Sequence, residues 1–259
     1  MSNSNPIGLF DSGIGGTSIW KEVHALLPNE NTIYLADSIN APYGKKTKDE
    51  IVSLCFKNVD FLLDNNCKLV VVACNTATTN AIKEMRAKYS VPIIGIEPAI
   101  KPAANLSETK TIGILATKGT LNSELFNQQL QNYSNVTFLE QVGYGLVELI
   151  EAGKIATEEM RNLLKLYLRP MIDAGIDYLV LGCSHYPYLI TEIKKIVPNT
   201  VQIIDSGQAV ARQTKAVLAQ HNLLNTSKEK GKAVFYSNSD AQVLKNILGF
   251  ESGVFQNDF

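Results

Sequence analysis

The sequence predicts an α/β protein built from two pseudo-symmetric, doubly wound halves, with mainly parallel sheets and a ligand cleft between them. Three observations predict it. Short continuous apolar runs alternate with longer amphipathic stretches, as they do where helices cover both faces of a parallel sheet. Three strand-like segments recur in the same order about 105–110 residues later: Ile7–Ser12 resembles Ile112–Thr117, Leu69–Asn75 resembles Tyr178–Ser184, and Pro92–Ile94 resembles Gln202–Ile204. The middle pair also aligns two cysteines, Cys74 and Cys183.

Taken in order, Ile7 to Phe10 reads as a strand and Gly15 to Leu27 as a helix stopped by Pro28. Thr32 to Ala36 is strand-like and Thr47 to Asn65 helical. Lys68 to Ala73 is a buried strand, Ala77 to Tyr89 a helix and Pro92 to Gly95 a strand. The second half repeats this with strands at Thr111 to Leu115, Val136 to Leu139, Tyr178 to Leu181 and Val201 to Ile204. Its helices are read at Thr120 to Asn132, Gly145 to Ala152, Thr157 to Ala174 and from the second cysteine motif to Val197. The polar stretch Asn225 to Lys232 is the best linker candidate, ahead of a strand at Ala233 to Tyr236 and a helix from Asp240 to Leu248. The chain is expected to cross between halves near Glu97 to Ala99 and again near Ser206 to Ala209. The first domain would then be 1–97 plus 207–259, and the second 98–206.

Composition narrows the function. The chain has 259 residues, 45% of them apolar and 19% charged, and a formal charge of −1. This is ordinary globular composition without a basic field for nucleic acid or an anionic membrane. No apolar run approaches the roughly 20 residues of a membrane span. The N-terminal M-S-N-S-N-P lacks a basic segment followed by an apolar one, so the expected location is cytoplasmic. The four cysteines, Cys55, Cys67, Cys74 and Cys183, form no C-x-x-C and no zinc-ligand spacing. Gly13 to Ser18 lacks the last glycine of G-x-G-x-x-G, and Gly44-Lys45-Lys46-Thr47 fails as a P-loop, which leaves nucleotide binding without support.

Cys55 and Cys67, in a helix and in a turn, read as buried packing residues. Cys74 and Cys183 each follow a buried strand, at the end where open α/β sheets bind ligands. If the halves face each other, the two thiols flank one ligand from opposite sides. That arrangement suits inversion at a carbon acid, where one face loses a proton and the other gains one. Asp11 follows the first strand and is placed to orient or deprotonate Cys74; the alternative is a helix cap. His185 is two residues beyond Cys183 and could serve that thiol, with Glu151 behind it; the alternative is a satisfied buried imidazole. Ser12, Asn75, Thr76 and Ser184 supply small donors for a carboxylate, though such residues are also ordinary caps.

At these residues the chain resembles the glutamate racemases of the aspartate/glutamate racemase superfamily. The likeness rests on Asp11-Ser12-Gly13-Ile14-Gly15-Gly16, Ala41-Pro42-Tyr43-Gly44, Ala73-Cys74-Asn75-Thr76-Ala77-Thr78 and Leu181-Gly182-Cys183-Ser184-His185-Tyr186-Pro187. The resemblance implies cofactor-independent two-base racemisation of L- and D-glutamate, supplying D-glutamate for peptidoglycan precursors and hence for the cell wall and cell shape. Racemisation of aspartate or a hydantoin, or a related decarboxylation, is the alternative on the same scaffold, and a non-enzymatic amino-acid-binding protein is a third reading.

The resemblance also implies that Cys74 acts on D-glutamate with Asp11, and Cys183 on L-glutamate with His185. Glu151 matches the family's acidic residue, with Glu148 as a competitor because the preceding stretch, Gly143 to Ile150, departs from the family pattern. Implied substrate contacts in the first half are Asp11, Ser12, Pro42, Tyr43, Gly44, Asn75 and Thr76. In the second half they are Thr117, Thr120, Ser184 and His185. No metal and no cofactor are implied, and a homodimer is expected.

Overall fold

A computed structural model describes residues 3–259, so the first two residues of the N-terminal stretch read for a leader lie outside the described residues. β1 (Ile7–Asp11) is buried along its whole length. α1 (Thr17–Leu26) follows and ends just ahead of Pro28, where the proline disfavours further helix. After β2 (Thr32–Ala36), α2 (Lys48–Asp64) opens on a capping box: the Thr47 hydroxyl accepts the Glu50 amide and the Glu50 carboxylate accepts the Thr47 amide. Next come β3 (Leu69–Val72), α3 (Asn75–Lys88), β4 (Ile93–Gly95) and α4 (Ile100–Leu106).

The second half runs β5 (Thr111–Ala116), α5 (Lys118–Leu121), α6 (Glu124–Gln131), β6 (Thr137–Val142), α7 (Leu146–Glu151), α8 (Glu158–Asp173), β7 (Tyr178–Gly182), α9 (Ile190–Ile193) and β8 (Gln202–Ile204). The chain then returns through α10 (Gly207–Gln220), β9 (Ala233–Ser237), α11 (Ala241–Leu248) and β10 (Val254–Gln256).

The strands form two sheets, ordered β10-β9-β2-β1-β3-β4 and β6-β5-β7-β8. Every pairing within them is parallel. The order β2-β1-β3-β4 in the first is matched by β6-β5-β7-β8 in the second, so β1 corresponds to β5 and β3 to β7. Cys74 and Cys183 therefore leave equivalent strands at equivalent ends.

The apolar core is partly shared. One cluster runs without a break from Ile7, Leu9, Ile19 and Val23 to Leu168, Leu179 and Leu181 of the second half. Each such side chain contributes about 1.5–3 kcal/mol when fully buried, so this cluster holds the halves together on one side. Separate clusters lie under α2 and α3, around Phe10, Val59, Val70 and Val72, and under α4 and α6, around Ala103, Ile112, Phe126 and Val180. The two segments joining the halves also touch, because the Ser206 hydroxyl donates to the Glu97 carbonyl.

Four local expectations are corrected. The single helix read over Thr120 to Asn132 is two, because Thr117 caps α5 and Ser123 restarts the chain as the cap of α6, its hydroxyl accepting the Phe126 amide. The helix read to Val197 is a 3-10 turn over Tyr186–Leu189 followed by the four-residue α9; Pro187 in the first turn withholds a backbone donor. The sequence reading passed over α4, α10 and β10. The 225–232 stretch is no free linker: it joins α10 to β9, with the Asn225 amide on Glu30 at 2.7 Å and the Gly231 amide on the Pro28 carbonyl at 3.0 Å.

Candidate active site

β3 ends at Val72, and Cys74 two residues later is the N-cap of α3, its Sγ accepting the Ala77 amide at 3.4 Å. The thiol points to the Ser12 hydroxyl at 3.6 Å. Burial, and then the charge of Asp11, hold its pKa well above the usual thiol value.

Asp11 is fully buried at the end of β1. Oδ2 accepts the Gly16 amide at 2.9 Å and the Gly13 amide at 3.3 Å, while Oδ1 accepts the Ser184 hydroxyl at 3.0 Å. Burial raises its pKa, partly offset by His185 and by the Gly16 amide. Asp11 thus acts on Cys74 through its charge, and its oxygens are engaged by the glycine turn and by a residue of the second half. It does not cap α1, whose N-cap Gly16 has no side-chain cap hydrogen bond.

Across from Cys74, Cys183 follows β7, with its Sγ 3.8 Å from His185 Nδ1. The same Nδ1 is 3.8 Å from Asp11 Oδ2, and Nε2 is bonded to Glu151 Oε1 at 2.5 Å. Burial opposes charge on this imidazole, but Cys183, Glu151 and Asp11 outweigh it and lift its pKa well above the usual histidine value. Of the two carboxylates left open by the sequence, Glu151 meets His185, whereas Glu148 pairs with Lys45 at 2.5 Å on the surface.

Glu151 sits at the end of α7 in the second half, yet two of its partners come from the first. Oε1 accepts the Ile14 amide at 2.7 Å and Oε2 the Ser38 hydroxyl at 2.9 Å. The glycine turn makes this approach possible. A Cβ on Gly13 would lie 1.9 Å from Glu151 Oε1, and one on Gly15 would lie 2.2 Å from His185 Nδ1. These glycines clear room for two side chains of the opposite half.

Ser12, Pro42, Tyr43, Gly44, Asn75, Thr76, Thr117 and Ser184 line one small cavity together with both thiols and His185. Thr120 stands behind it, its hydroxyl bonded to Thr76 and Thr117 at 3.2 and 3.0 Å. Val147, which the sequence reading did not single out, also lines the cavity, and Ser38 and the Ile14 amide stand behind His185 through their bonds to Glu151. The volume is about 10 Å³, room for about one water molecule. It opens toward a larger cavity of about 420 Å³ that shares Pro42, Gly44, Thr117 and Val147. An amino acid entering from there must part the halves slightly.

Neither side-chain amide atom of Asn75, Oδ1 or Nδ2, has a hydrogen-bond partner among the described residues, although both are buried. Buried amides are normally satisfied, so this side chain presents a donating NH2 and an accepting carbonyl oxygen to whatever fills the cavity. No group of three or more His, Cys, Asp or Glu among the described residues is arranged to hold a metal ion, and no helix among them is long and apolar enough to cross a membrane.

Comparison with known proteins identifies the family. A family model described as Asp/Glu/Hydantoin racemase matches residues 16–214. A glutamate racemase from Cupriavidus pinatubonensis is 44% identical over 246 residues, covering 95% of this chain and 90% of its own. The crystal structure of Escherichia coli glutamate racemase in complex with L-glutamate and the activator UDP-MurNAc-ala superposes with a TM-score of 0.85 at 32% identity, covering 97% of each chain. That of Francisella tularensis glutamate racemase with D-glutamate gives 0.83 at 30% identity over 98% of each.

Proposed function

Because the chain belongs to the Asp/Glu/hydantoin racemase family, we propose that it is an isomerase that interconverts L- and D-glutamate by moving protons between two thiols. The observation that carries this reading is the placement of Cys74 and Cys183 on one cavity, each from a different half of the molecule. Inversion requires a base on one face of the α-carbon and an acid on the other.

In the L-to-D direction the Cys183 thiolate removes the α-proton of L-glutamate, and the electron pair remains on the substrate. The Cys74 thiol then delivers its proton to the opposite face, leaving D-glutamate, a Cys183 thiol and a Cys74 thiolate. The reverse reaction exchanges the roles. Protons and charge balance with two thiols alone, so no cofactor is called for. His185, kept protonated by Glu151 and Asp11, supports the Cys183 thiolate by hydrogen bonding and charge. Asp11 accepts three donors and attends the Cys74 side by charge. The carboxylates of glutamate would be met by Ser12, Asn75, Thr76 and Ser184, with Thr117 and the Pro42-Tyr43-Gly44 turn bounding the space and Thr120 holding the threonine hydroxyls in place.

The same reading assigns the first domain to 1–97 plus 207–259 and the second to 98–206, a cytoplasmic location, a homodimer, and supply of D-glutamate for peptidoglycan precursors. The test is circular dichroism of L-glutamate, with L-aspartate in parallel, on adding purified protein without cofactor. Decay of the glutamate signal to zero, with aspartate stable, is expected. Decay of aspartate alone would move the activity to the alternative substrate, and no decay of either would refute racemisation.

A further inference from the structure

We propose that Ser38 is a positioning residue, whose hydroxyl holds the Glu151 carboxylate across the domain boundary so that the Cys183 side of the site is competent only when the halves are closed. The inference rests on the two-thiol reading above.

The supports of the two thiols are unequal. Cys74 draws Ser12 and the Ala77 amide from its own half. Cys183 depends on His185, which depends on Glu151, and Glu151 is tied to the opposite half by both oxygens. Ser38 gives the only hydrogen bond to Oε2 among the described residues. Without it the carboxylate is held through Oε1 alone, by the Ile14 amide and His185 Nε2, and is freer to tilt about its last bond.

Ser38 is itself held firmly. The carboxylate of its neighbour Asp37 accepts the side-chain amides of Asn40 at 2.7 Å and Asn238 at 2.5 Å, and also the Tyr43 hydroxyl. Asn238 returns its carbonyl oxygen to the Ile39 amide at 3.0 Å. The hydroxyl is therefore presented by a turn braced from the strand β9, and it is unused by any other hydrogen bond in the described residues. When the halves part to admit substrate, this bond and the Ile14 bond are lost together, and closure restores both.

L- and D-glutamate have equal free energy in water, so any variant must lose kcat/KM equally in both directions, and that loss alone does not identify the step affected. The primary isotope effect does. In Ser38→Ala, kcat/KM should fall about tenfold, the scale of one charge-assisted hydrogen bond. The deuterium isotope effect with 2-deuterio-L-glutamate should rise, because proton removal by Cys183 becomes more limiting. The effect with 2-deuterio-D-glutamate should fall, and Ser38→Thr should restore both.

A residue that merely glues the halves together would lower activity without moving the two isotope effects apart, and that result overturns the proposal. So does a divergence in the opposite sense, or unchanged kinetics. Failure of the unaltered protein to exchange the α-proton would instead overturn the two-thiol reading, and the proposal with it.

Discussion

Replacing Gly15 by alanine tests the packing logic of the site with one added methyl group. The φ of Gly15 lies outside the left-handed region, so alanine meets no backbone strain there. Its Cβ, however, would stand 2.2 Å from His185 Nδ1 and 2.4 Å from Cγ, against 3.4 Å for ordinary contact. The ring or the turn must therefore retreat by about 1 Å. The imidazole has nowhere to go without breaking its bond to Glu151 or leaving Cys183, and its side chain is 1% exposed. A misplacement of that size costs about a hundredfold in rate where geometry controls a proton transfer. The expected result is a loss of about 10² in kcat/KM by the dichroism assay, with the protein still folded, because β1 and α1 on either side of the turn keep their cores. An alanine variant within about twofold of the parent would refute the claim that His185 must occupy this position.

Cys74→Ser and Cys183→Ser should each abolish inversion, because a serine hydroxyl is far too weak an acid to replace a thiol; full inversion by either would rule out the two-base mechanism. Glu151→Gln should lower kcat/KM by about a hundredfold through loss of a charge-assisted bond to His185. Glu148→Gln removes only an exposed pair and should stay within about fivefold; equal effects in the same assay would contradict the assignment. Stability should decline in alkali. Burial raises the pKa of Cys55, of Cys67 (to about 12) and of Cys74, so the folded chain keeps protons that the unfolded chain releases. Their contribution is intact below about pH 8.5 and is lost at about 1.4 kcal/mol per thiol per pH unit as pH rises toward the folded values. Urea midpoints at pH 8, 9 and 10 should fall in step, and a constant midpoint would contradict burial of these thiols as neutral groups.

Much of the architecture is local in its cause and was legible for that reason. β1, β2 and β3 are continuous apolar runs at the centre of a sheet, and the Thr32–Ala36 boundaries agree with the expectation. The doubled strand order reflects the internal repeat that the two cysteines mark. Helix α10 carries a readable signal that the sequence reading missed, Val210, Thr214 and Leu218 on one buried face. The break at Ser123 turns on a single hydroxyl that resembles any other polar position until its amide partner is seen.

The cross-half contacts were not legible. Gly13 and Gly15 are small because Glu151 and His185 press against them, and the Ile14–Glu151 bond spans 137 residues of sequence. The choice between Glu148 and Glu151 was likewise undecidable locally, since both project from the short α7; Lys45 on the opposite half takes one and His185 takes the other. Thr120 is a substrate contact only by the family resemblance, and its hydroxyl is turned onto Thr76 and Thr117.

The central claim is that two thiols act on opposite faces of one carbon, and solvent labelling addresses it most directly. L-Glutamate is incubated with the protein in D2O and stopped well before equilibrium, and the two enantiomers are separated and examined by proton NMR. The account predicts deuterium at the α-carbon of the D-glutamate formed, with the remaining L-glutamate still carrying hydrogen. Deuterium in both enantiomers at equal levels from the earliest times would mean that one base serves both faces, and would contradict it.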